Sequence, residues 1–304
     1  MCSPEDFQAK LQNINVDSDP LIELITNMKY EDRINFKKTY KQRFNKDLIE
    51  DIKFQAKGRN LEYALTSLFT DPVEYDCKEL YESMKGLGTK EDTLIEILGT
   101  RSSERIEEIV KNYQSYSGSK HTLEYDIKDD TSGNFRRILL KIIKTKRNDN
   151  ENANFQDCIS YAQELYKKGD DLCGKDNCLF IKYITELSAS ELKLVCSQYH
   201  KISGKNIIDK VKEIYDGESA NLLKTLVHST LVPNEYFAIR LRDAIKGWGT
   251  NNQVLIRVLV TRDKKDFPEI KRYYKKLFDL DLIEDIKGDI SGNYQKLMVA
   301  ICNN

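Results

Sequence analysis

Two stretches of this sequence match each other closely enough to define a repeating unit. MKGLGTKEDTLIEILGTR at 84–101 and IKGWGTNNQVLIRVLVTR at 245–262 share a KGxGT turn, the apolar pattern behind it and a closing Thr-Arg pair. A second matching block follows each of them, IKDDTSGNFRRILLKI at 127–142 and IKGDISGNYQKLMVAI at 286–301. A unit of about seventy residues therefore recurs, and this repeat limits the folds that the chain can adopt.

Two weaker copies complete the pattern. In the first, LIELI at 21–25 matches LIEIL at 94–98, and DLIEDIKFQAKGRN at 47–60 matches the block that begins at 281. In the third, GDDLCGKDNCLFIKYI at 169–184 stands where the turn and its helix are expected. The predicted division is a short head at 1–5, repeats at 6–73, 74–146, 155–231 and 232–304, and a polar linker at 147–154.

The apolar spacing within a repeat is helical, and strand-like alternation is scarce. One such helical face consists of Ile106, Ile109, Val110 and Tyr113. Thr89 and Thr250 follow the glycines of the two turns and are expected to act as N-caps of the next helices. Because short amphipathic helices cannot bury their apolar faces alone, we predict an all-α chain in which each repeat is a small bundle packed against others.

The composition argues against several functions. With 48 basic and 49 acidic residues, the chain lacks the positive field that draws proteins to nucleic acid, so no such partner is predicted. Its three histidines have no evident catalytic partners, so the chain is not predicted to be an enzyme. Seven cysteines behind an N-terminus without an apolar signal region favour free thiols in the cytoplasm, and the CGKDNC pair at 173–178 lacks the second pair of a zinc site.

Glycine at alternate positions of the KGxGT turn allows successive carbonyl oxygens to point toward one spot. Calcium prefers about six to eight oxygen ligands. Because backbone carbonyl oxygens have no net charge, a site at this turn also needs at least one nearby carboxylate to help balance the ion. The second block of each strong repeat supplies one: Asp130 lies 46 residues after Met84, and Asp289 lies 44 residues after Ile245. A single turn of this kind is also typical of an ordinary connection between helices. The recurrence of turn and acid together favours a cation site.

The turns, the acids and the four repeats together resemble the annexins, a family of calcium-dependent phospholipid-binding proteins, over almost the whole chain. The resemblance implies four five-helix repeats arranged as a curved disc, with calcium on the convex face. In that family, carbonyl oxygens from the residue before the lysine and from both glycines bind calcium together with the later acid. The implied ligands are Met84, Gly86, Gly88 and Asp130 in the second repeat, and Ile245, Gly247, Gly249 and Asp289 in the fourth.

The first repeat departs from this pattern. Asn13 and Asn15 stand at its glycine positions, where asparagine is expected to tolerate a left-handed backbone. The acid position is Gln55, and its neutral amide should remove most of the affinity for calcium. The first repeat is therefore not expected to be a good calcium site.

The third repeat departs from the pattern too. Gly169 and Gly174 are expected to frame its loop. We match Ser219 to the serine of the Ser-Gly-Asn block, so the acid position falls on Gly217, between Asp216 and Glu218. Two good calcium sites are therefore predicted in the whole chain, with any third site weak.

The predicted function is calcium-dependent binding to anionic phospholipid membranes, such as those that contain phosphatidylserine, with calcium bridging the protein and a lipid phosphate. The side chains expected at the membrane are Lys85, Leu87, Lys246 and Trp248. Trp248, the single tryptophan, either enters the bilayer interface or folds back against a neighbouring helix. The expected location is the cytoplasm, peripheral on the cytosolic face of membranes.

The alternative prediction is a cytoskeletal or scaffold role, in which the chain binds filaments or membrane-associated proteins with reduced dependence on calcium. Such a chain would be similar to the alpha-giardins, the annexin-like cytoskeletal proteins of flagellated protists. The loss of two calcium sites, the many lysines and tyrosines and the short head favour this alternative. Vesicle binding with and without calcium separates the two predictions.

Overall fold

The computed structural model describes residues 3–147, 152–168, 178–247, 249–262 and 266–303. Among these residues it contains twenty α-helices and no strand, which confirms the all-α prediction. The helices form four consecutive groups of five, and each group begins within two residues of a predicted repeat start. We refer to these groups as the first to fourth repeats.

The helices of the first repeat are α1 (Pro4–Gln12), α2 (Asp19–Asn27), α3 (Tyr30–Phe44), α4 (Leu48–Gln55) and α5 (Arg59–Leu68). Those of the second are α6 (Pro72–Met84), α7 (Glu91–Thr100), α8 (Ser103–Ser117), α9 (Leu123–Asp130) and α10 (Gly133–Lys144). Those of the third are α11 (Phe155–Lys168), α12 (Leu179–Glu186), α13 (Ala189–Ser203), α14 (Ile207–Ile214) and α15 (Gly217–Leu231). Those of the fourth are α16 (Pro233–Ile245), α17 (Asn252–Arg262), α18 (Phe267–Phe278), α19 (Leu282–Asp289) and α20 (Gly292–Asn303).

The chain divides into two compact units. One unit contains residues 1–72 and 237–304, so it joins most of the first repeat to most of the fourth. Its core includes an aromatic cluster in which the ring of Phe7 packs on Phe36 and edge-on against Phe69. Such aromatic contacts add to the stabilisation from burial alone.

The other unit contains residues 73–236, from the second and third repeats. A Cβ built on Gly99 of α7 would lie 2.7 Å from the Thr225 methyl group of α15, so only glycine allows this close approach. Arg147, at the predicted start of the linker, donates hydrogen bonds to the Ile184 carbonyl and the Thr230 hydroxyl, both at 2.7 Å. Arg147 is thus part of the packing between the second and third repeats and not of a solvated linker.

The fourth helix of every repeat is eight residues long and begins in the same way. A polar side chain accepts hydrogen bonds from the backbone N–H groups of its first turn, which would otherwise be unsatisfied. These N-caps are Asp47, Thr122, Asn206 and Asp281. The fixed start and length define where each of these helices ends.

A buried tyrosine of the third helix holds the fourth helix in three of the repeats. The phenol groups of Tyr40, Tyr113 and Tyr274 donate to the carboxylates of Asp51, Asp126 and Asp285, at 2.8, 2.8 and 2.5 Å. Burial raises the pKa of all three phenols, so they remain protonated donors. In the fourth repeat, Arg242 also donates to Asp285, at 2.6 Å.

Replacing Tyr274 by phenylalanine is expected to lower the free energy of unfolding by about 1–2 kcal/mol, because a partly buried carboxylate loses a donor. Urea denaturation followed by circular dichroism measures the loss. The control is Tyr273→Phe, because Tyr273 makes ring contacts with Arg272 and Lys276 that phenylalanine keeps. Equal unfolding midpoints for the two variants would contradict a stabilising role of this hydrogen bond.

Candidate functional site

The KGxGT segment of the second repeat forms a tight turn between α6 and α7. Gly86 and Gly88 both have a positive φ, 99° and 82°, a conformation that favours glycine. The Lys90 N–H donates to the Ser83 carbonyl at 2.8 Å and closes the turn. The backbone therefore has the alternating conformation that the sequence pattern predicts.

The corresponding turn of the fourth repeat is built alike. Gly247 and Gly249 have φ values of 135° and 85°. The Asn251 N–H donates to the Ala244 carbonyl at 2.8 Å, the equivalent of the closing bond in the second repeat. Trp248, between the two glycines, lies outside the described residues.

The predicted acids lie beside these turns. Asp130 and Asp289 are the last residues of α9 and α19. The Thr89 hydroxyl lies 2.6 Å from the Asp130 carboxylate and 2.9 Å from its carbonyl oxygen, as donor to both. The Thr250 hydroxyl donates to the Asp289 carboxylate in the same way. The structure thus brings each predicted turn together with its predicted acid.

The prediction that the two threonines cap the next helices is wrong. The N-cap position of α7 is Lys90, which makes no side-chain cap. In the fourth repeat, the side-chain oxygen of Asn251 accepts from the Val254 N–H at 3.2 Å. Each threonine points instead toward the acid, and the recurrence of threonine with the acid in both strong repeats was the sequence signal for this contact.

The acid position of the third repeat also needs correction. Three residues after each fourth helix ends there is a glycine with positive φ. These glycines are Gly58, Gly133, Gly217 and Gly292. Gly217 therefore corresponds to the glycine of the Ser-Gly pair, and the acid position is Ile214, the last residue of α14. The sequence match at Ser219 was three residues out of register, because Asp216 and Gly217 take the place of the Ser-Gly pair at the start of α15.

The loop of the first repeat is closed without a carboxylate. The Asn15 amide donates to the Gln55 carbonyl at 2.6 Å, and its oxygen accepts from the Lys57 N–H at 3.1 Å. Gln55 is the last residue of α4, as the alignment predicted. Asn13 has a φ of −93°, so the expected left-handed backbone is not used there.

The side chains of the two turns point in different directions. Met84 and Ile245 are buried, which anchors the start of each turn. Leu87 is fully exposed, and Lys246 is exposed as well. Lys85 lies 3.3 Å from the Glu82 carboxylate at the surface. The loop glycines predicted for the third repeat, Gly169 and Gly174, lie outside the described residues.

The donor atoms at the two turns suit a hard cation. Carbonyl and carboxylate oxygens are the ligands that calcium prefers. Within the described ranges, no group of three or more His, Cys, Asp or Glu side chains is placed to hold a metal ion. Each turn offers backbone carbonyl oxygens, and the end of the fourth helix offers one acid in each of these two repeats. A cleft of about 320 Å³ beside the second-repeat turn, lined by Asp130, gives solvent access to that carboxylate.

Comparison with known proteins identifies the family. The annexin family model matches residues 5–68, 75–142 and 236–301. The chain belongs to the annexin family. It is 36% identical to annexin A8 of Bos taurus over 98% of this chain and 90% of that protein. It is 34% identical to annexin A7 of Homo sapiens over 98% of this chain, and it spans 60% of the length of annexin A7.

Solved structures agree with this assignment. The structure of annexin III superimposes with a TM-score of 0.92 at 33% identity, covering 100% of this annexin and 94% of the other chain. Calcium-bound alpha-14 giardin superimposes with a TM-score of 0.82 at 16% identity, covering 98% of this chain and 99% of that one. At such low identity the likeness to the giardin shows the fold alone.

Annexins in general bind phospholipids in a calcium-dependent manner and are not enzymes. Annexins bind membranes peripherally. In the part of the chain that the structure describes, none of the helices combines the length and apolar character needed to cross a bilayer.

Replacing Gly88 by alanine is expected to cost about 1–2 kcal/mol of stability, because its left-handed backbone disfavours a Cβ. The control is Gly288→Ala, at a helical position of α19. An added Cβ meets nothing within 4 Å at either glycine, so the two differ in backbone conformation alone. Gly288→Ala is expected to be neutral or slightly stabilising. Equal urea midpoints would contradict the turn geometry.

Proposed function

We propose that this annexin binds anionic phospholipid membranes through two calcium sites, one in the second repeat and one in the fourth. The observation that carries the proposal is the hydrogen bond from each turn threonine to the acid of its repeat. The proposed ligands are the carbonyl oxygens of Met84, Gly86 and Gly88 with Asp130, and those of Ile245, Gly247 and Gly249 with Asp289.

The residues of each site have distinct roles in this proposal. The turn supplies neutral carbonyl oxygens, and the acid supplies the one negative charge. The threonine hydroxyl holds the carboxylate at the turn, so little conformational entropy is lost when a ligand binds. Calcium, when bound, carries a remaining positive charge and open coordination positions that a lipid phosphate can fill.

The same reasoning argues against strong sites in the other repeats. Gln55 and Ile214 occupy the acid position there, and neither side chain has a negative charge. Without that charge, a loop would have to bind a divalent cation through neutral oxygens alone. We therefore propose that calcium binds in two of the four repeats.

Side chains on the two turns are proposed to contact the lipid. Lys85 and Lys246 are exposed and could each contribute about 1 kcal/mol near an anionic surface. Leu87 projects into water with no protein surface to cover it, as expected of a side chain that enters the acyl region. Trp248 occupies the equivalent position in the sequence of the fourth repeat, and tryptophan favours the membrane interface.

Replacing both acids, as Asp130→Asn with Asp289→Asn, is expected to raise the calcium concentration needed for half-maximal vesicle binding by about tenfold or more, because each site loses its only charged ligand. Co-sedimentation with phosphatidylserine vesicles over a calcium titration measures this. The matched control is Asp129→Asn, since Asp129 is exposed and adjacent to Asp130. Vesicle binding that changes neither with the calcium concentration nor with the double substitution would contradict the proposal.

Co-sedimentation with filaments, beside the vesicle assay, tests the cytoskeletal alternative, which stays a prediction. Binding to filaments in the presence of a chelator, together with no calcium-dependent binding to vesicles, would favour that alternative. A peripheral position on the cytosolic face of membranes is likewise proposed from the membrane function.

Membrane contact by the turns predicts a fluorescence change. Because Trp248 is the single tryptophan, its emission is expected to shift to the blue only when vesicles and calcium are both present. An unchanged emission spectrum on confirmed binding would show that Trp248 stays out of the bilayer.

Leu87→Ser is expected to weaken vesicle binding by about threefold to tenfold, since it removes an apolar side chain from the interface.

A further inference from the structure

The loop end of the first repeat carries two large apolar side chains in water. Val16 is 91% exposed and Phe54 is 83% exposed. The Asn15 side chain donates to the Gln55 carbonyl and accepts from the Lys57 N–H, and these two bonds join the segments that carry Val16 and Phe54. Val16 follows Asn15 and Phe54 precedes Gln55, so the two exposed apolar residues flank these hydrogen-bonded positions. We call Val16 and Phe54 together the apolar tip.

The loop that presents Val16 is held in place without a metal ion. Asn293 donates to the Ile14 carbonyl at 2.9 Å, and Ser18 donates to the Asn293 side-chain oxygen at 3.0 Å. The Val16 N–H donates to the Asn13 carbonyl at 2.9 Å. Ile14 is fully buried, whereas Val16 two residues later is exposed. A fixed backbone, and not a loose loop, therefore holds Val16 in water.

The apolar tip and the proposed calcium site of the fourth repeat belong to the same compact unit. Asn293, which binds the first-repeat loop, is in the first turn of α20, four residues after Asp289. A membrane docked at the fourth-repeat turn would therefore lie near the apolar tip as well. This continuity distinguishes the tip from an isolated apolar side chain on the surface.

Charges of both signs lie beside the apolar tip, since Lys53 and Lys57 flank Phe54 and the exposed Asp17 directly follows Val16. Lys57 is exposed and forms no ion pair with any residue that the structure describes. Lys53 pairs with the exposed Glu50 at 2.8 Å, and surface pairs of this kind are weak. The nearby Asp19 is paired with Lys296 at 2.7 Å. Exposed apolar side chains with adjacent lysines fit the boundary between acyl chains and anionic headgroups.

We propose that Val16 and Phe54 insert into an anionic bilayer as a contact that needs no calcium of its own. The inference rests on the proposed membrane function, in which the calcium sites dock the protein. The first repeat has no carboxylate at the position that would bind calcium, and in this proposal it contacts the bilayer through apolar side chains. The Asn15 amide replaces a metal ion in holding the two loop segments together.

The first test places a tryptophan reporter at the tip, as Phe54→Trp in a Trp248→Phe background. Vesicles of phosphatidylserine with bromine-labelled phosphatidylcholine are expected to quench this reporter in the presence of calcium. The control is Leu277→Trp in the same background, because Leu277 is partly exposed and lies near the opposite end of α19 from Asp289. Quenching no stronger than the control on confirmed binding overturns the inference.

The second test combines the reporter with the double substitution of Asp130 and Asp289. Weak quenching at high lipid concentration is expected to remain under chelator, because the tip itself does not need calcium. If the double variant loses calcium-dependent pelleting but keeps this quenching, the contact at the apolar tip does not depend on the two calcium sites. If the wild type never pellets with calcium, the calcium proposal fails. If it pellets but the reporter stays in water, the inference about the tip fails.

The third test removes the tip with Val16→Ser and Phe54→Ser, both at exposed positions where folding is not expected to suffer. Vesicle affinity at saturating calcium is expected to fall by about tenfold. The control, Val110→Ser with Leu277→Ser, also replaces two exposed apolar residues and is expected to bind as the wild type does. A change in oligomeric state without vesicles, with vesicle affinity unchanged, would assign the tip to contact between copies and overturn the inference.

Discussion

The hydrogen bond between a turn threonine and a distant carboxylate is the contact on which both proposed sites depend. It spans 41 positions in the second repeat and 39 in the fourth. Neither segment carries enough oxygen ligands for a cation, because the turn lacks charge and the fourth helix offers a single acid. Their meeting creates a site that neither element has alone.

The fourth helix is what makes this meeting repeatable. Its N-cap, its constant length and the buried tyrosine that holds its aspartate bring its last residue to the same place in the repeat. That residue is aspartate in two repeats, glutamine in one and isoleucine in another. One scaffold thus presents different chemistry at the same position. In the first repeat, the Asn15 amide donates to the carbonyl of Gln55, the last residue of the fourth helix. In the second repeat, the Thr89 hydroxyl makes the corresponding hydrogen bond to the Asp130 carbonyl.

Much of the fold and of the candidate site could be predicted from the sequence. The helical period, the fourfold repeat and the glycine turns were local patterns that tertiary contacts did not change. The expectations that failed concerned positions where the local sequence allows more than one arrangement. Thr89 could cap α7 or bond to Asp130, and both are compatible with the same local sequence. The start of α15 could be placed at more than one small residue, and only its observed position reveals Ile214 as the end of α14.

The sequence by itself determined which positions carry glycine, acid or amide, and therefore which repeats have a carboxylate to offer a cation. Only the tertiary structure decided where the turn side chains point. Ile14 is buried while Val16 is left in water, because Asn293 and Asn15 fix the first-repeat loop from two sides. The physical reason is that a turn lacks the periodic hydrogen bonds of a helix, so its conformation follows the partners offered by segments far away in the chain.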